Sequence, residues 1–258
     1  MVTMVIDGKT YQAEANRNLL QFMIDHGIDV PYLCHREGLT PYGACRLCMV
    51  QVVAGSKPGI TTSCTLTTSE GLTVETKTPD VVQIRKVLLE LYLAEAPGSK
   101  KIRELAAHYG VDRTRFERMD LSAKGDRCVL CGLCLRVCSE LLDVGAIHYA
   151  GRGKHTSINT PWYQPSTVCI GCGACEYVCP ADAIDIIDQG DERVMETWHK
   201  TRLKLKECAA SMKRFATERV VDVVCDKNQE LLKDLKDLSP DARRKKKAAQ
   251  FIFGAKPK

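Results

Sequence analysis

Two near-copies of one cysteine phrase constrain this chain more than anything else in it: CVLCGLCLRVC from Cys128 and CIGCGACEYVC from Cys169, each spaced C-x2-C-x2-C-x3-C. Three thiolates on so tight a loop can meet three corners of a cubic 4Fe-4S cluster. The fourth starts the helix leaving the loop and points toward a neighbouring cluster, which is why such motifs come in pairs. The spacing therefore predicts crossed ligand sets, Cys128, Cys131 and Cys134 with Cys179, and Cys169, Cys172 and Cys175 with Cys138.

Only the second copy is followed by a proline, Pro180, where the first has Ser139. Proline has no N–H and a fixed φ, so it can turn the chain away from a cluster without stranding a donor. After Ser139 the helix can continue through SELLDVG and feed a strand pair, so no sharp exit is needed. Gly132, Gly171 and Gly173 let the backbone approach sulfur and aim N–H groups at it. Structural zinc also uses C-x2-C pairs, but it needs only two cysteines per loop.

A third group is looser: Cys34, Cys45, Cys48 and Cys64, with gaps of ten, two and fifteen residues. Here YGACRLCMVQV puts Gly43 and two cysteines on a loop that runs into a strand, an arrangement plant-type 2Fe-2S domains use with a shorter first gap. The surrounding sequence reads as a hairpin (TMVIDG, KTYQAE), a helix (NLLQFMIDHG) and further strands (CMVQVVAG, GLTVETK). From Asp80 the apolar residues fall near a 3.6 period until APGSK breaks the helix, and a second helix, KIRELAAHYG, follows.

Fourteen cysteines are many for a chain with no evident secretory start, and grouped cysteines in a reducing compartment are more often metal ligands than crosslinks. The start turns polar too soon for a signal peptide, and no run reaches the roughly eighteen apolar residues of a membrane span. The expectation is a cytoplasmic protein without direct membrane insertion. Its formal charge of +5 counts every thiol as neutral. Three oxidised clusters, each with four thiolates and a 2+ core, would bring the total to about −1, so net charge does not argue for a nucleic-acid partner. Cys208 and Cys225 stand apart from the three groups and are expected to be buried free thiols.

VPYLCHREGLTPYGACRLCMVQV, TTSCTLTTSEGLTVET and the paired motifs together resemble the N-terminal half of the large iron-sulfur subunit of respiratory complex I. They are equally similar to the small diaphorase subunit of NAD-reducing hydrogenases and to the front of NAD-dependent formate dehydrogenases and FeFe hydrogenases. The resemblance covers about residues 1 to 188. It implies one 2Fe-2S cluster on Cys34, Cys45, Cys48 and Cys64, two 4Fe-4S clusters on the crossed sets, a flavoprotein NAD(P)H-oxidoreductase partner, and a catalytic partner such as a hydrogenase or formate dehydrogenase. One departure stands out: those relatives carry a further cluster on a histidine before a proline and three following cysteines. Here Ala96 precedes Pro97 and no cysteine lies between Cys64 and Cys128, so that cluster is expected to be absent. His108 alone cannot replace it.

The fold class expected is α+β, in four parts: a β-grasp 2Fe-2S ferredoxin domain over 1–79, a helical linker over 80–123, a paired 4Fe-4S ferredoxin-like domain over 124–190, and a helical, basic C-terminal extension over 191–258. No G-x-G-x-x-G, P-loop or G-x-S-x-G is present, so the chain offers no evident dinucleotide site or hydrolytic nucleophile. The function expected is electron transfer within a multi-subunit oxidoreductase, with catalysis in the partners and not in this chain. A free soluble polyferredoxin is the alternative, and a cluster-based sensor lacks any DNA-reading motif.

Overall fold

The Asp7-Gly8 pair sets the first turn: both residues have positive φ (49° and 76°), the combination a two-residue hairpin demands. It joins β1 (Val2–Ile6) to β2 (Lys9–Ala13) in antiparallel register. The computed structural model describes residues 1–117, 122, 125–228 and 236–253. α1 (Leu19–Asp25) begins where the Asn18 side chain accepts the Gln21 N–H at 3.0 Å, and it buries Leu19, Leu20, Phe22 and Met23. β3 (Met49–Ala54) pairs with β4 (Gly59–Thr62), and β5 (Thr73–Glu75) lies between β1, to which it is parallel, and β3. The five strands run β2-β1-β5-β3-β4, with α1 packed on a core that includes Met4, Val50, Val74 and the cysteines Cys48 and Cys64. β4 is a strand that sequence alternation does not reveal, because GITT is too short to show a period.

α2 (Pro79–Glu95) starts with proline at its first turn and the Thr78 hydroxyl accepting from Val81 N at 3.3 Å. α3 (Lys100–His108) follows, capped by Ser99. The two helices do more than link: Leu89, Ala96, Ile102 and Ala106 form one core with Leu33, Cys34 and Cys45 on one side and Val129, Cys131 and Leu133 on the other. The end of the expected helical linker, 118–121 and 123, lies outside the described residues, as does 124 at the start of the expected paired domain.

Each cysteine repeat runs into a short helix, α4 (Leu133–Arg136) and α5 (Ala174–Tyr177). The first continues as a π-helical turn over Val137–Leu141, whereas the second stops and Pro180 sits in the turn beyond it. β6 (His148–Ala150) and β7 (Ser157–Asn159) form an antiparallel pair between the repeats.

The expectation of a helical extension over 191–258 needs correction. Residues 186–217 form an antiparallel meander of β8 (Ile186–Gln189), β9 (Glu192–Met195), β10 (Thr201–Glu207) and β11 (Arg214–Thr217). Helix begins only with α6 (Glu218–Lys227) and returns as α7 (Pro240–Phe253). The reason is legible in TRLKLKE: Thr201, Leu203 and Leu205 are buried while Arg202 and Lys204 face out. A period of two outweighs the helix propensity of lysine and glutamate. Among the described residues no helix is long and apolar enough to cross a membrane.

Candidate functional site

The fold gathers the twelve grouped cysteines at three places. Cys34, Cys45, Cys48 and Cys64 are all buried, with Cys45 N donating to Cys34 Sγ at 3.4 Å. Ser63 donates to Cys48 O through both its N–H and its hydroxyl, each at 2.9 Å, which folds the 3-10 turn carrying Cys64 back onto the loop that carries Cys48. A hydrogen bond from the Cys45 thiol draws Cys34 down to about 6, and one from Cys48 likewise lowers Cys64. Cys45 and Cys48 are pushed up by donating these bonds and by burial. A positive charge backs this loop: Arg85, fully buried, donates Nε to Leu47 O (3.1 Å) and Nη2 to Met49 O (2.7 Å), the carbonyls on either side of Cys48.

The paired motifs surround two cavities. One is lined by Cys128, Cys131, Cys134 and Cys179, the other by Cys138, Cys169, Cys172 and Cys175. Each thus contains three sulfurs of one repeat and the last sulfur of the other. Backbone N–H groups point at these sulfurs, from Ala146 to Cys138 (3.3 Å), from Gly171 to Cys169 (3.4 Å) and from Ala183 to Cys179 (3.3 Å). Such donors favour thiolate over thiol. Burial works against them, pushing Cys131 and Cys175 up to about 12. Gly132 and Gly173, both with left-handed φ, cap α4 and α5; a Cβ on Gly132 would meet the Tyr149 hydroxyl at 2.7 Å.

The residues fit iron-sulfur clusters by their donor chemistry. All-thiolate sets, dry walls and N–H groups directed at sulfur are what such cofactors require. Among the described residues no three His, Cys, Asp or Glu side chains close on a single point as one bound ion would need. Around the paired sites the sulfurs line a cavity instead.

Between the first group and the pair stands a junction that motif reading missed. Arg136, buried inside the first repeat, donates Nη1 to Cys34 O at 3.3 Å, Nη2 to Thr40 O, and Nε to Glu140 Oε1 at 2.9 Å. Glu140 Oε2 in turn accepts from Thr40 N at 2.9 Å. The peptide groups of Thr40 are therefore held from both sides, and Thr40 lies within the long first gap between Cys34 and Cys45. That gap gives the loop the reach to the first repeat. Thr40's N–H holds the Glu140 carboxyl below its ordinary range, with the Arg136 charge assisting. Arg136 also lies over the Tyr42 ring, 5.2 Å from its centroid.

Tyr92, from α2, donates to Cys45 O at 3.2 Å in the same region, and burial first, then the neighbouring cysteines and Glu95, push its hydroxyl up. Ala96, just before Pro97, is fully buried in the core that holds Cys34, Cys45 and Cys131. His108 is on the surface beside Asp29, 3.3 Å away. Cys208 and Cys225 are buried away from the three groups, Cys208 accepting from Ser239 N at 3.2 Å.

The C-terminal meander and α6 also reach the paired sites. Arg219 donates to Thr167 O and Cys169 O, both at 2.9 Å, Thr217 Oγ1 bonds Ile170 O, and Trp198 lines both cysteine cavities.

Comparison with known proteins agrees with this geometry. Residues 1–79 match the 2Fe-2S iron-sulfur cluster binding domain and residues 127–183 the 4Fe-4S dicluster domain. NADP-reducing hydrogenase subunit HndD of Solidesulfovibrio fructosivorans is 28% identical over 71% of this chain and 36% of its own length. The NADH-ubiquinone oxidoreductase 75 kDa subunit of Reclinomonas americana is 29% identical over 62% of this chain and 26% of its own. NADPH-Fe(3+) oxidoreductase subunit alpha of Geobacter sulfurreducens is 28% identical over 71% of this chain and 24% of its own. The chain thus spans from about a quarter to just over a third of the length of these relatives. Among solved structures, a chain of an NAD+-reducing [NiFe]-hydrogenase in the H2-reduced state superposes with a TM-score of 0.53 at 27% identity, covering 62% of this chain and 75% of that one. The chain thus joins a 2Fe-2S iron-sulfur cluster binding domain to a 4Fe-4S dicluster domain, and is similar to subunits of NADH-ubiquinone oxidoreductase and of an NADP-reducing hydrogenase.

Proposed function

We propose that the chain is an electron-transfer subunit of a multi-subunit oxidoreductase, holding one 2Fe-2S cluster on Cys34, Cys45, Cys48 and Cys64 and two 4Fe-4S clusters on the crossed sets. Its partners in this reading are a flavoprotein that exchanges electrons with NAD(P)H and a catalytic subunit acting on hydrogen, formate or a similar substrate. The observation that carries the reading is the lining of the two cavities, each with three sulfurs of one repeat and the fourth of the other.

When bound, such clusters supply one-electron couples, with potentials spanning roughly −700 to +450 mV. The polypeptide holds the ligands in register, excludes water with Val129, Ile147 and Ile158, and places Cys34 and Cys131 in one continuous core. That core, with Ala96 inside it, is the direct approach between the 2Fe-2S domain and the pair. The chain carries no catalytic residues of its own in this reading, and its compartment is the cytoplasm.

Anaerobically purified protein should contain about ten irons, two in one cluster and four in each of the others, and show one 2Fe-2S and two interacting 4Fe-4S EPR signals on reduction. Zinc at these sites, or turnover of NAD(P)H, hydrogen or formate by the isolated chain, contradicts the reading. Cys138→Ser should damage the site of the second repeat more than that of the first; loss confined to the first repeat's site would refute the crossed sets. A native mass equal to one chain, with nothing copurifying, would favour the free polyferredoxin instead.

A further inference from the structure

Trp198 lies beyond the dicluster domain match, which ends at residue 183, yet its side chain forms part of the wall of both cysteine cavities. It is 4% exposed, and its Nε1–H is buried without a well-formed hydrogen bond to any protein atom. Buried indole N–H groups ordinarily find a partner. Here the indole is part of the lining of the cavity that Cys138, Cys169, Cys172 and Cys175 surround.

The turn that presents Trp198 is tightly held. Trp198 N donates to Met195 O at 3.0 Å, and Trp198 O accepts from Thr201 N (3.1 Å) and Thr201 Oγ1 (2.7 Å). Thr201 Oγ1 accepts from Ser166 N at 2.8 Å, and Ser166 Oγ accepts from Cys169 N at 3.0 Å. One chain of bonds thus ties the Trp198 turn to the entry of the second repeat. The next two residues, His199 and Lys200, both have left-handed φ (51° and 52°), a strained pair that the surrounding contacts impose.

We propose that Trp198 sets the potential of the second 4Fe-4S site: its buried indole N–H, which has no acceptor among the described residues, donates to a sulfur of the cluster held in the cavity it lines, and its ring keeps water from both cavities. The proposal rests on the reading that Cys138, Cys169, Cys172 and Cys175 hold a 4Fe-4S cluster. One electron, supplied by the NAD(P)H-linked flavoprotein partner, adds negative charge that spreads onto the sulfurs. No bond forms or breaks, and the indole proton stays on nitrogen. A donor aimed at sulfur in a dry site stabilises the more negative state and so raises the potential.

The test uses the full chain purified anaerobically with its clusters. Trp198→Phe keeps the ring and removes the N–H. It should leave about ten irons bound and make reduction of one 4Fe-4S couple about tenfold less favourable, a negative shift of ~59 mV for one electron, with the other couple moving less. A second measurement needs no substitution. The chain has two tryptophans, and Trp162 is 89% exposed. Indole-15N labelling should therefore give a 15N hyperfine coupling to a reduced 4Fe-4S cluster, from Trp198. Ten irons with an unshifted couple and no 15N coupling would overturn the role of Trp198 alone. Protein with no 4Fe-4S signal at all would overturn the functional reading, and this proposal with it.

Discussion

Arg136 shows how much a single side chain can decide when it is buried with all three of its nitrogens donating. Its guanidinium serves Cys34 O, Thr40 O and Glu140 at once, and its side chain is 6% exposed. Arg136→Met would leave two backbone carbonyls and a carboxylate without their donor, a loss of about 3 kcal/mol. The thermal midpoint should fall, and amide hydrogen exchange should rise around Thr40. Arg136→Lys should restore less than half of the loss, because one ammonium cannot reproduce a planar fork.

Gly171 makes the same point through the backbone. Its φ is +68°, and a Cβ there would lie 2.8 Å from both Leu203 Cδ1 and Thr217 Cγ2. Gly171→Ala should therefore push the second repeat off β10 and β11, lowering bound iron from about ten to about six per chain as measured by metal analysis.

Among the elements, the C-terminal meander departs most from what the sequence suggests. Its charged stretches point to helix, yet the β9–β10 turn, β10 and β11 supply Trp198, Thr201 and Thr217 around the second repeat, where α6 adds Arg219. A chain ended at Gly190 retains all twelve grouped cysteines. It should nevertheless hold the first 4Fe-4S site better than the second, giving fewer than ten irons and a changed 4Fe-4S EPR signal. Retention of both sites with native spectra would show that the meander plays no part in them. The long Cys34–Cys45 loop is the other element whose purpose sequence leaves open. An unusual first gap is visible in the spacing, but its contact with Arg136 joins residues about a hundred apart in the chain, with separations of 96 and 102.

For the whole molecule, the charge should depend on the metal more than on anything else. The formal value of +5 holds only while the thiols are neutral. Three loaded sites bring it to about −1, so stripping the clusters with chelator and oxidant should move the protein by about six charges toward the cathode in native electrophoresis. A shift of that size would also explain why a lysine-rich chain need not bind nucleic acid. At the same scale, α2 and α3 pack Ala96, Ile102 and Ala106 into one core that runs from Cys34 and Cys45 to Cys131.

Local sequence was enough to establish the three cysteine groups, the N-terminal strands and helix, and the lack of a ligand before Pro97. Each of these is written in short-range spacing, which the chain's own geometry converts directly into structure. It took the folded molecule to reveal that Arg136 clasps Thr40, that TRLKLKE is a strand against the second repeat, and that Trp198 stands between the two cavities. Those outcomes depend on burial and on hydrogen bonds between distant segments, and no local period or motif encodes which distant partner a buried donor will meet.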